Sequence, residues 1–268
     1  MRAIVSVPKS DHPMRTGVEF SRLPRVMWVF CLRSLVREYG WLFARRVAAR
    51  HPWRTLQAFR AAGRIDPAKR GVVEVGGGRS GFRAGGPPSI VGAGFCLKSM
   101  DPPCPSGRFN HDCVWLERLA GADGADVPVP CRSCAIREIG AQALRAGSAF
   151  YVMTSARDIL DDIYVPALQG RRFTTGLFVL CRYSFKPFAV GAVASGMSAT
   201  MLPLDEGDCR DYRTWLFADQ GVKDEQTTVD ASAIADVAGR LGGARPLKPL
   251  RVARRGNVLF PSSAAPAA

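Results

Sequence analysis

From residue 134 onward the chain alternates between helical stretches and short apolar runs, and this alternation restricts the fold more than any other feature. "CAIREIGAQALRAG" has helical periodicity, "SAFYVMT" reads as a strand, and "SARDILDDIYVPALQG" reads as a helix that Thr154 or Ser155 can cap. "RFTTGLFVLC" and "MSATMLPL" are two further strands, separated by the helical "SFKPFAVGAVASG" and followed by "CRDYRTWLFADQG" and "DASAIADVAGRLGG". Strands separated by helices pair in parallel through right-handed crossovers and need helices to cover them. The expected fold is α/β: a small parallel sheet of about three to four strands flanked by helices, with a cysteine-rich metal-binding segment and an N-terminal helical arm.

Five regions follow. Residues 1–63 form a basic helical arm, whose apolar residues recur at helical spacing and which Pro52 divides into two helices. Residues 64–95 are Gly- and Pro-rich and read as a linker. Within them Gly76, Gly78 and Gly81 match G-x-G-x-x-G, but "FRAGGPPS" follows where a dinucleotide fingerprint requires a helix. Residues 96–134 are the cysteine-rich module, 135–242 the α/β domain, and 243–268 a basic tail expected to be irregular.

The formal charge of +14 is concentrated at one end: residues 1–90 hold 17 Lys and Arg against 5 Asp and Glu. Without basic and aromatic residues alternating on a recognisable module, nucleic acid is not the expected partner, whereas the arm leaves a membrane surface open. The start "MRAIVSVPKSDHPMR" shows no secretory pattern, and "VMWVFCL" falls far short of the ~20 apolar residues of a membrane span. A cytoplasmic, thiol-reducing location is the expectation, and cysteines there read as metal or redox ligands before disulfides.

Seven of the eight cysteines lie between Cys96 and Cys209. Cys181 ends a strand and Cys209 follows another, so both should project from the carboxyl edge of the sheet, where open parallel sheets bind ligands. Cys131 and Cys134 form a C-x-x-C pair at a helix start, and with Cys104 and Cys113 make six thiols able to converge on a metal. Cys31 and Cys96 read as buried core thiols. The irregular spacing and the "CP" at Cys104 favour an iron–sulfur cluster, [4Fe–4S] above other types, with zinc as the alternative. His111 reads as a neighbour of the site, since one intervening residue leaves it poorly placed as a base for Cys113.

The run "CRSCAIREIGAQALRAGSAFYVMTSARDIL", followed by "GLFVLC" and "PLDEGDC", resembles a prokaryotic domain-of-unknown-function family, number one hundred and sixteen. The resemblance spans about residues 96–220. It implies an upstream cysteine cluster at Cys104, Cys113, Cys131 and Cys134, joined to an α/β domain with strand-end cysteines Cys181 and Cys209. The family's function is not established, so the resemblance implies a fold and a metal and no activity.

The expectation is thus a metal-binding protein in a redox, sensing or accessory role, served by a partner enzyme or redox protein. Thr154, Ser155 and Arg157, at a strand-to-helix turn, are candidates to hold an anionic ligand beside the metal. Two alternatives stay open: a thiol oxidoreductase using Cys131 and Cys134, and a membrane or nucleic-acid adaptor led by the arm. No catalytic residue is assigned.

Overall fold

A computed structural model describes residues 39–66, 71–76, 82, 89–118, 127–170, 172–242 and 252–262. The strands are β1 (Val73–Val75), β2 (Ser89–Gly94), β3 (Ala149–Met153), β4 (Thr175–Leu180), β5 (Ser198–Pro203), β6 (Val252–Arg255) and β7 (Val258–Pro261). The helices are α1 (Tyr39–Phe43, continued by a π turn Ala44–Ala48), α2 (Pro52–Gly63), α3 (Val114–Glu117), α4 (Val129–Arg132) and α5 (Ala135–Arg145). They continue with α6 (Ala156–Ile159, running through a π turn Leu160–Tyr164 into Val165–Leu168), α7 (Phe185–Ala194), α8 (Tyr212–Asp219) and α9 (Ala231–Arg240).

One seven-stranded sheet runs in the order β1-β5-β4-β2-β3-β7-β6. Its centre, β5-β4-β2-β3, is parallel, while β1 and the β6–β7 hairpin join antiparallel at the two edges. Because the side-chain period of a strand is two, each central strand feeds two cores. Tyr151, Phe178 and Met201 face α1, α2, α6 and α7 on one side; Phe150, Val152, Leu177, Val179 and Leu202 face α5, α8 and α9 on the other. From β2 the chain steps outward to β3, then returns across β2 to β4 and β5. The crevice between β2 and β4 is therefore a topological switch point, the place where sheets of this kind take ligands.

The α/β class and the strands β3, β4 and β5 are as the sequence indicates, but the sheet is mixed and larger than a small parallel one. Three segments account for the difference, the first being β1, an antiparallel edge strand within the expected linker. "SIVGAG" falls in the expected linker yet forms the central strand β2, and its small residues are what the position demands: a Cβ on Gly92 would meet the Phe178 ring at 2.6 Å. The tail, expected to be irregular, folds back as the β6–β7 hairpin. Gly256 (φ +58°) and Asn257 make its turn, and Val258 and Leu259 pair with Tyr151 and Phe150 of β3.

The part of the arm that is described packs on the sheet. Phe43, Val47, Ala58 and Ala62 are buried in the first core, and Pro52 opens α2 at the expected break. Cys31, the apolar run 26–32, Gly78 and Gly81 lie outside the described residues. No helix among the described residues is long and apolar enough to cross a membrane.

Candidate functional site

The seven described cysteines are free thiols, and they fall into two groups at the carboxyl edge of the parallel strands. The first is Cys104, Cys113, Cys131 and Cys134. Cys113 is the N-cap of α3, Cys134 is the N-cap of α5, and Cys131 is buried in α4, one turn ahead of Cys134. Cys104 begins a turn closed by the Gly107 N–H on its carbonyl at 3.0 Å, with Gly107 in the left-handed region.

Ionisation of Cys113, Cys131 and Cys134 is disfavoured by burial and by neighbouring thiols. Burial pushes the Cys113 thiol up to about 11, with Cys134 and Cys104 adding to it. Burial likewise raises Cys131 and Cys134, and Cys104 contributes to both. The helix starts act in the opposite sense. The backbone N–H groups of Trp115 and Leu116 lie toward the Cys113 sulfur, and those of Ile136 and Arg137 toward Cys134, favouring thiolate without reaching hydrogen-bond geometry. Among the described residues, no three His, Cys, Asp or Glu side chains are drawn together as the ligands of one metal ion.

A buried cation stands beside this group. Lys98 is 1% exposed, and its Nζ donates to the carbonyls of Gly107 (3.1 Å) and Asn110 (3.0 Å) and to Asn110 Oδ1 (2.6 Å). Burial lowers its pKa, opposed by the negative charge available from Cys104, Cys113, Asp112 and Cys134. Lys98 thus holds the 104–110 loop in shape and places positive charge where thiolates would gather.

His111 ties the same loop to the end of β3. Its Nδ1 meets the Val152 carbonyl at 2.8 Å, which can only accept, so Nδ1 carries a proton; Nε2 lies 3.1 Å from Thr154 Oγ1, and the ring stacks on Tyr151. The histidine serves as a strut and has neither nitrogen turned to a thiol.

The second group is Cys96, Cys181 and Cys209, which follow β2, β4 and β5 and line one cavity of ≈110 Å³ at the switch point. The Cys181 side chain, then burial, drives the Cys209 pKa far up; burial, then Cys181, raises Cys96 to about 11. Cys181 Sγ lies 2.8 Å from Ser184 Oγ, and Ser184 Oγ accepts from Trp215 Nε1 at 3.0 Å. An indole only donates, so the serine proton is free to point at the sulfur. Positive charge adjoins this group too: Lys223 Nζ donates to the Gly207 carbonyl, while Arg108 donates to the carbonyls of Cys96, Lys223 and Glu225.

The six thiols expected to meet therefore do not form one site. Cys181 and Cys209 separate from the other four and join Cys96, which the sequence reading had assigned to the core. The clue was available: Cys96 stands two residues past "SIVGAG", and Cys181 directly follows "GLFVL". Lys98, Arg108 and Lys223 carry no spacing signal at all.

Thr154 and Ser155 have a different employment from the one anticipated. Both hydroxyls donate to Asp158 Oδ2, at 2.6 and 2.7 Å, and Ser155 Oγ accepts the Asp158 N–H in a reciprocal capping box. The Ala156 N–H donates to Asp219 Oδ1 at 2.6 Å. The N-terminus of α6 is thus satisfied by the protein's own carboxylates, and Arg157 is exposed.

Fold and site together define a doubly wound α/β protein with two thiol groups on its carboxyl edge. No protein family, no curated protein and no solved structure matches the chain, so the resemblance in cysteine spacing is one of pattern.

Proposed function

We propose that this is an iron–sulfur protein in which Cys104, Cys113, Cys131 and Cys134 hold a [4Fe–4S] cluster, in a redox or accessory role toward a partner enzyme or redox protein. The observation that carries the reading is the gathering of four thiols from three separate segments around two helix starts, with a buried lysine beside them. Nothing in a hydrophobic core requires four mutually repelling thiolates to share a neighbourhood; a cationic metal centre does.

Ligands drawn from three separate segments at irregular spacing favour a cluster over one zinc ion, since a cluster accepts its ligands from separate loops. Exchange chemistry at Cys131 and Cys134 has less support, because a redox thiol is activated by a lowered pKa and burial raises both.

The test is anaerobic purification of the full chain with an absorption spectrum and iron, sulfide and zinc assays, repeated on Cys113→Ala/Cys134→Ala. Brown protein that loses a cluster's share of iron and sulfide in the double variant supports the reading. Colourless protein with one zinc replaces the cluster by an ion, and metal-free protein with a reversible Cys131–Cys134 disulfide overturns it in favour of the dithiol.

A further inference from the structure

The second thiol group has a property the first lacks: it borders a cavity. Cys96, Cys181 and Cys209 come from the ends of β2, β4 and β5, three neighbouring parallel strands, and all three contribute to the wall of the same ≈110 Å³ space. The remainder of that wall is mainly apolar, with Met153, Leu180 and Phe188 among its side chains. Among the described residues that line it there is no fourth cysteine and no histidine.

Hydrogen-bond donors and cations adjoin the three sulfurs. Trp215 holds Ser184 so that its hydroxyl can donate to Cys181, while Lys223 stands in the cavity wall and Arg108 donates to the Cys96 carbonyl. A support chain of indole, hydroxyl and sulfur is the kind of outer-shell contact that orients a ligating thiolate. The location is the switch point, where an open α/β sheet of this order presents its ligand.

We propose that Cys96, Cys181 and Cys209 hold a second [4Fe–4S] cluster, bound by three thiolates, whose fourth iron is open to the cavity and takes a small, mainly apolar ligand through an oxygen or nitrogen donor. Three protein ligands with one position left open distinguish a metal site that binds or transforms a ligand from a closed, four-ligand site. The apolar wall accounts for the body of the ligand, and the open iron for its polar end. The inference uses different residues from the four-thiol centre and stands whether or not that centre carries iron.

The test uses the full chain, purified anaerobically and reconstituted with iron and sulfide. Wild-type protein is expected to hold two clusters' worth of iron and sulfide, and Cys181→Ala/Cys209→Ala to lose half. In Cys113→Ala/Cys134→Ala, which keeps only the second cluster, mild oxidation with ferricyanide should release the unligated iron and yield the electron paramagnetic resonance signal of a three-iron cluster. If Cys181→Ala/Cys209→Ala loses its circular dichroism, Cys96→Ala takes its place in the comparison. Unchanged iron and sulfide in a folded variant of this group overturns the site. A second cluster that resists ferricyanide overturns the open iron. Loss of iron in Cys181→Ala/Cys209→Ala but not in Cys113→Ala/Cys134→Ala leaves this proposal standing and removes the four-thiol one.

Discussion

Cys113 and Cys134 occupy equivalent positions: each is the N-cap of a helix, and each sulfur has the backbone N–H groups two and three residues ahead turned toward it. Such a pair makes thiolate less costly at two adjacent points without a charged side chain. Alanine at either position should therefore abolish the proposed first cluster, whereas His111→Ala should retain it, because the imidazole contacts Val152 and Thr154 and no sulfur. Iron and sulfide per chain decide this. A His111→Ala protein that folds but has lost the first cluster would make the histidine a ligand after all.

Lys98 provides a second test, one of architecture. Its ammonium group answers two carbonyls and a side-chain amide oxygen within a half-buried loop. Lys98→Met removes the donor and leaves those partly buried acceptors without it, at no more than about 1–3 kcal/mol for each group left unsatisfied. We expect a lower urea midpoint and, because the 104–110 loop loses its brace, faster loss of the proposed first cluster to a chelator. Unchanged midpoint and unchanged release rate would show that the lysine is incidental to the centre.

The helices and strands after residue 134 were legible because their periodicity is uninterrupted. β2 was not, and the reason is physical. A central strand under a large ring must be built of small residues, so "SIVGAG" lacks the bulky alternation by which strands are recognised. With β2 misread, Cys96 could not be placed at a strand end, and the division of seven thiols into two groups was hidden. The hairpin of β6 and β7 was obscured by "VARR", whose arginines read as tail; Arg254 instead pairs with Glu117 at 2.8 Å and with Asp112, joining the hairpin to the cysteine module. Cys131 and Cys134 were readable as a pair, since two cysteines one turn apart at a helix start need no tertiary information.

The fit between β2, β4 and their covering ring can be measured by a double-mutant cycle. A Cβ on Gly176 would collide with the Phe178 ring. Gly176→Ala should cost about 1–3 kcal/mol by overpacking, and Phe178→Ala about 3–5 kcal/mol by the cavity it leaves. In the double variant the added methyl has room, so the total cost should fall below the sum of the two. Strict additivity in urea denaturation would mean that the glycine is not there to admit the ring.

Asp158 connects stability to pH. Burial raises its pKa, but hydrogen bonds from Thr154 and Ser155 outweigh this, with a smaller contribution from His111, and the net shift is downward. A carboxyl group with a depressed folded pKa stabilises the fold above its unfolded value, about 3.9, and that contribution disappears as pH falls through the folded pKa. Asp158→Asn should therefore lower the urea midpoint at pH 6 by an amount corresponding to roughly 1 kcal/mol or less, the value of a cap at a site with 38% of its side chain exposed. The gap between wild type and variant should narrow as pH is lowered below 4. A gap that is constant across this range would assign the effect to shape and not to charge.

The C-terminal hairpin is open to the most direct test. β7 pairs with the outer edge of β3 and buries Val258, Leu259 and Phe260 to 5% exposure or less. At roughly 1.5–3 kcal/mol for each buried side chain, these three contribute an upper limit of several kcal/mol. That is comparable with the net stability of an ordinary domain, about 5–15 kcal/mol. Ending the chain after residue 250 also exposes the backbone of β3 along an unpaired, apolar edge. Truncated protein should accumulate in inclusion bodies or associate in solution, and the cysteine module, deprived of Arg254, should lose the proposed cluster more readily. A soluble, monomeric truncation with wild-type thermal stability would show that 252–261 only decorates the sheet.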